Sequence, residues 1–170
     1  MSFLIKEILE GKIFIYPTDT IYGIGCNALN EKSVEKIRKI KDRDKNKPLS
    51  IIAPGIEWVK EHCIIDVNLE RYLPGPYTII LKKKNPNFLI HISQTDTLGI
   101  RIPKSKFSKS VEKAGVPFVT TSVNLSGEPF AKNIKEISKE ILNKVDKIID
   151  EGILTGRPST LIINGKEIIR

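Results

Sequence analysis

The chain has 170 residues, 40% hydrophobic, 28% charged and only 6% aromatic, so it is the size of one domain and can bury roughly 70% of its unfolded surface. Its 28 Lys and Arg against 20 Asp and Glu give a formal net charge of +8, which favours anionic partners such as nucleotides, RNA or acidic membrane surfaces. No apolar run reaches signal-peptide length or the ~18 residues of a bilayer span, Cys26 and Cys63 lack C-x-x-C spacing, and His62 and His91 are scattered; secretion, a disulfide scaffold and a metal cage are disfavoured, and a cytoplasmic protein is expected.

Taken in order, Phe3 to Leu9 has helical apolar spacing, and Lys12 to Tyr16 reads as a strand stopped by Pro17. Asn30 can cap a helix from Glu31 to Lys41, with Val34, Ile37 and Ile40 repeating at three residues. Leu49 to Ala53 is a buried strand candidate, followed by short helical stretches around Trp58 and Leu69. Strands are expected at Tyr77 to Leu81 and Leu98 to Ile102, a helix at Phe107 to Ala114, and a strand at Pro117 to Thr121. A helix from Ile134 to Val145 then leads to strands at Lys147 to Ile149, Ser159 to Ile163 and Glu167 to Ile169. Helices and strands alternate without a linker or repeat, which predicts one α/β domain over residues 1–170, with helices packed on a twisted, open, mixed or parallel sheet.

Gly23 to Ala28, GIGCNA, fits the G-x-G-x-x-A pattern of a dinucleotide loop. That loop needs its first Gly directly after a strand and its last small residue inside the next helix. Here the strand ends near Pro17 and the helix cap is Asn30, so the match is coincidental. The P-loop pattern G-x-x-x-x-G-K-[ST] is absent.

Several polar clusters fall just beyond element ends. Thr18, Asp19 and Thr20 follow the first strand. The run KIRKIKDRDKNKP, Lys36 to Pro48, sets seven basic residues against Asp42 and Asp44; a solvated helix C-terminus accounts for part of it, but the charge is denser than capping requires. TTSVNLSG, Thr120 to Gly127, brings the neutral donors Ser122, Asn124 and Ser126, and RPST, Arg157 to Thr160, adds a cation and two hydroxyls. If the strands are mostly parallel, their carboxyl ends gather these loops around one crevice. The residue types suit phosphate and carboxylate binding, with catalysis by positioning and charge neutralisation.

The segments YPTDTIYGIGCNA, KDRDKNKPL, LPGPYT, LGIRIP, TTSVNLSG and PSTLI, running in this order from Tyr16 to Ile162, resemble the threonylcarbamoyl-AMP synthases of the YrdC-like group. The resemblance implies a twisted α/β fold with a large basic concavity. It also implies a nucleotidyl transfer joining L-threonine, bicarbonate or CO2 and ATP, accompanied by Mg2+, into threonylcarbamoyl adenylate with release of pyrophosphate. A downstream transfer complex would then modify an adenosine of certain tRNAs. Carried over residue by residue, Lys41, Arg43, Ser122 and Asn124 resemble the tetrad around the phosphates and the reacting carbamate. Arg43, Lys47, Thr97, Ser122 and Arg170 fall at ATP-contact positions, and Thr20, Arg101, Thr120 and Ser159 at threonine-contact positions. No residue is implied as a metal ligand.

The chain departs from the family pattern at four places. Asp42 and Asp44 flank Arg43 where Gly and Pro are usual, Ile52 stands where many members have His, and Phe130 falls near a position usually held by a small hydroxyl. Arg170 carries the terminal carboxylate of this sequence. Two other readings of the same cations are a non-catalytic double-stranded RNA or tRNA-binding module and a carbamoyl-adenylate enzyme fed by carbamoyl phosphate; the RNA module lacks an RNP-like aromatic motif.

Overall fold

The computed structural model describes residues 1–170. Its helices are α1 (Phe3–Leu9), α2 (Glu31–Ile40), α3 (Ile56–His62), α4 (Lys106–Ala114) and α5 (Lys139–Leu142). The strands are β1 (Phe14–Tyr16), β2 (Gly23–Gly25), β3 (Ser50–Ile52), β4 (Cys63–Ile64), β5 (Tyr77–Lys83), β6 (Thr97–Arg101), β7 (Phe118–Ser122), β8 (Lys147–Ile148), β9 (Thr160–Ile163) and β10 (Lys166–Ile168). They form one ten-stranded sheet in the order β10-β9-β5-β6-β3-β7-β2-β1-β8, with β4 paired on β5.

The sheet is mixed: β1–β8, β3–β6 and β5–β9 are parallel, and every other pairing is antiparallel. A mostly parallel sheet is therefore not what gathers the polar loops. The crevice forms instead where β7 joins β2 on one side and β3 on the other.

Strand alternation divides the core between two faces. Ile13 and Ile15 enter a large cluster that takes Val34, Ile37 and Ile40 from α2, Val59 from α3 and Ile141 from α5. Phe14 and Tyr16 enter a smaller one with Ile52, Phe118, Ile8 of α1 and Phe107 and Val111 of α4. Tyr16 stacks on Phe107 with ring centroids 4.4 Å apart. Ile52, the expected loss of a His contact, is wholly buried in this aromatic layer.

Two expectations change in physical detail. GIG is strand β2 rather than a loop, and its glycines answer to packing. A Cβ at Gly25 would overlap the Val119 carbonyl oxygen, and one at Gly23 would stand 2.8 Å from the Tyr16 ring. The helix expected over Ile134 to Val145 is interrupted: a 3-10 turn at Ile134–Glu136 ends at Ile137, which is extended (ψ 133°). Ser138 then caps a new helix, its hydroxyl accepting the Ile141 N–H at 3.3 Å.

The end of α2 sets up the site. Asp42 is left-handed (φ 49°), its N–H donates to Lys39 O, and the Arg43 N–H donates to Arg38 O at 2.9 Å, which together make a Schellman stop. That position favours Gly, and Asp is among the few other residues that tolerate it. The departure at Asp42 therefore preserves the backbone path. Arg38, buried, pins the following loop by donating to the carbonyls of Asp44, Lys47, His91 and Ile92.

Candidate functional site

A cavity of about 310 Å3 opens where β2, β3, β6 and β7 meet the loops after β1 and before β9. Its charged side chains are those of Arg43, Arg101 and Arg170, with no Asp or Glu on the wall; the remainder is mostly hydroxyl, amide and small apolar side chains.

Lys41 reaches this wall from behind. It is 2% exposed, so the reading of a solvated helix end fails at this residue. Its Nζ donates to the Ser122 carbonyl and, at 3.2 Å, to Asn124 Oδ1. Ser122 Oγ donates to the same Oδ1 at 2.6 Å, and Asn124 Nδ2 donates to Glu128 O at 2.6 Å, which fixes the amide orientation. The Ser126 N–H donates to Lys41 O at 3.0 Å, tying the loop after β7 to the end of α2. Arg43 lines the cavity and is anchored by donating to Pro48 O at 2.7 Å, with its Nε buried and unpartnered. Burial, and then the Arg43 charge, hold the Lys41 ammonium down to about 7. Lys41, Arg43, Ser122 and Asn124 are thus brought together.

Arg101, at the end of β6, is 6% exposed. Its Nη2 donates to Asp19 Oδ1 at 2.8 Å and to Thr20 Oγ1 at 3.3 Å, while its Nε is buried without a partner. Asp19 also accepts the Lys104 N–H at 2.9 Å, so one carboxylate fixes both the guanidinium and the loop after β6. Burial lowers the Arg101 pKa and Asp19 opposes the shift, which keeps the guanidinium charged. The turn PTDT is closed by Thr18, whose hydroxyl donates to Ile21 O at 2.7 Å and accepts the Thr20 N–H at 3.0 Å.

Thr120 and Ser159 also line the cavity. Ser159 is held by Arg170, which donates from Nε to its carbonyl at 2.9 Å and from Nη2 to its Oγ at 2.6 Å. Burial and the nearby Arg101 charge both lower the Arg170 pKa.

Not every expected residue lines the wall: Lys41 stays behind it, bonded to Ser122 and Asn124. Thr20 lies behind Arg101, and Thr18 takes the lining position. Lys47 is exposed and outside the cavity, its carbonyl serving the Arg38 clamp. Thr97 also lies outside, in a chain of hydroxyls with Thr95 and Ser93. Sequence reasoning overlooked Asp19 as the Arg101 anchor, Arg38 as the loop clamp and Thr78 as a lining residue. Thr78 was visible only as the last letter of LPGPYT. Phe130 does line the cavity, so the fourth departure puts a ring where a small hydroxyl was expected.

Arginines and neutral donors around a wall without Asp or Glu side chains suit an anionic ligand bearing phosphate or carboxylate groups. A family model described as telomere recombination, Sua5/YciO/YrdC, matches residues 6–170, and the chain belongs to this family. It is 46% identical over 167 residues to a putative threonylcarbamoyl-AMP synthase of Methanocaldococcus jannaschii, covering 95% of this chain and 79% of that protein. Against the threonylcarbamoyl-AMP synthase of Pyrococcus abyssi the identity is 30% over 151 residues, covering 85% of this chain and 44% of that one. A crystal structure of P. abyssi Sua5 complexed with L-threonine matches with a TM-score of 0.81 at 29% identity, covering 94% of this chain and about half (49%) of that one. Full-length HypF in a phosphate- and nucleotide-bound form matches with a TM-score of 0.82 at 26% identity, over 94% of this chain and 26% of that one. No helix is long and apolar enough to cross a membrane.

Proposed function

We propose that the chain is a threonylcarbamoyl-AMP synthase, a nucleotidyltransferase acting on L-threonine, bicarbonate or CO2, and ATP. The observation that supports this reading is the cavity itself, lined by Arg43, Arg101, Ser122 and Asn124, with Lys41 bonded to Ser122 and Asn124 behind the wall. The threonine-complexed Sua5 relative supports the amino acid as ligand. An RNA groove would need these cations exposed to a phosphate backbone, whereas Lys41 and Arg101 are enclosed.

In this reading the threonine carboxylate sits against Arg101, with Thr120 and Ser159 completing its end. The amine attacks CO2 to give a carbamate, losing one proton. A carbamate oxygen then attacks the α-phosphorus of ATP, a P–O bond forms, and the bond to pyrophosphate breaks. Negative charge grows on the α-phosphoryl oxygens and on the leaving group, where Lys41 and Arg43 stabilise it with little reorganisation. Ser122 and Asn124 orient neutral oxygens toward the same centre. Because no Asp or Glu side chain lines the wall, Mg2+ would arrive as part of the ATP substrate. The product would pass to a transfer complex acting on tRNA in the cytoplasm.

The test is pyrophosphate release by purified protein with each substrate omitted in turn. Release is expected only with ATP, L-threonine and bicarbonate together. Equal release without threonine contradicts the reading, and release driven instead by carbamoyl phosphate would favour the carbamoyl-adenylate chemistry.

A further inference from the structure

Thr78 on β5 and Ser159 just before β9 meet across the parallel pairing of those strands, with their hydroxyl oxygens 2.6 Å apart and the residues 2% and 3% exposed. Ser159 Oγ already accepts one bond from Arg170 Nη2. A hydroxyl has one hydrogen and two lone pairs, so the hydrogens of this pair can be followed. If Thr78 donates to Ser159, both Ser159 lone pairs are filled and its O–H has no protein acceptor. If Ser159 donates to Thr78, it is the Thr78 O–H that has none. In either arrangement exactly one hydroxyl hydrogen of the pair is left over, and both side chains line the cavity. The guanidinium of Arg170 behind Ser159 and that of Arg101 nearby make the region electropositive, so the ligand atom that satisfies this donor is an acceptor oxygen.

We infer that Thr78 is a positioning residue for the amino-acid end of the site, donating to the Ser159 hydroxyl so that the Ser159 O–H is turned toward an oxygen of the bound threonine. The inference rests on the synthase reading, and it gives Thr78 a role in the ligand affinity rather than in the sheet alone. It acts through Ser159, so its effect disappears when that hydroxyl is removed.

The experiment is calorimetric binding of L-threonine and, separately, of ATP to the full chain and to Thr78→Val, Thr78→Ser, Ser159→Ala and the Thr78→Val, Ser159→Ala double variant. Val matches the shape of Thr without its hydroxyl, and loss of one such bond is expected to weaken threonine about tenfold. ATP affinity should stay within about twofold, Thr78→Ser should restore most of the threonine affinity, and the double variant should bind no more weakly than Ser159→Ala. Threonine affinity unchanged in Thr78→Val overturns the assignment, as does a double variant in which the two losses simply add. Parent protein that fails to bind threonine at all overturns the synthase reading and this assignment with it.

Discussion

Lys41→Ala is expected to cut turnover by about a hundredfold while the protein still melts close to the parent temperature, in line with the loss of one preorganised electrostatic donor. Lys41 does not act as an exposed cation, whose removal would change stability by less than about 1 kcal/mol and turnover hardly at all. Its ammonium is enclosed with the Ser122 carbonyl and Asn124 Oδ1, beside Arg43. Removing a buried charge relieves a desolvation cost as it loses packing, and the two effects oppose each other in the melting temperature.

The pH dependence has a definite sign. The free protein holds the Lys41 pKa down to about 7, so above that pH the empty site loses its proton while the unfolded chain keeps it up to the ordinary lysine range. Lys41 therefore makes stability rise with pH between about 7 and that range. A bound triphosphate favours the charged form and raises the pKa again. Binding of ATP at pH 8 should accordingly take up a proton, seen by calorimetry in buffers of different ionisation enthalpy, and kcat/KM for ATP should fall as pH rises through about 7. Proton uptake that persists in Lys41→Ala, or wild-type turnover in that variant, would remove Lys41 from the centre.

The second large effect is expected at Arg101. Arg101→Met should weaken L-threonine binding by about a hundredfold or more, because a buried charge-assisted contact is lost outright. Arg101→Lys keeps the charge and gives up the planar fork, so the loss should be about tenfold. Affinity for ATP should change little in either. Arg101→Met also strands Asp19, which retains only the Lys104 N–H among its present partners, so the melting temperature must be read beside the affinity. Calorimetry showing threonine bound as tightly by Arg101→Met as by the parent would exclude this residue as the carboxylate anchor.

Much of this architecture was legible because it is written in local chemistry. The cap at Asn30, the apolar spacing of α2 and the strand-length apolar runs specify elements over a few residues. The short strand β2 was hidden, since GIG carries no β-branched alternation; its glycines are required by Val119 and Tyr16, which come from elsewhere in the chain. The break at Ile137 escaped because Ser138 looks like an ordinary polar position inside one helix until it is seen capping its own turn.

The site shows the same division. Residue types suitable for phosphate and carboxylate could be picked from the motifs, and Lys41, Ser122 and Asn124, grouped only by the family resemblance, are bonded to one another. Burial could not be picked out, because the run from Lys36 to Pro48 has the composition of a solvated face and only the antiparallel placement of β7 encloses Lys41. Asp19, Arg38 and Thr78 were invisible as site components for a related reason: each acts on a partner distant in sequence, at Arg101, at His91 and Ile92, and at Ser159.

The most direct test of the central claim follows the carbon. Purified protein given 13C-bicarbonate, L-threonine and ATP should yield an adenylate whose mass includes threonine, AMP and one labelled carbonyl, in proportion to pyrophosphate released. Labelled adenylate that appears without threonine, or pyrophosphate release with no label in any adenylate, would contradict the account.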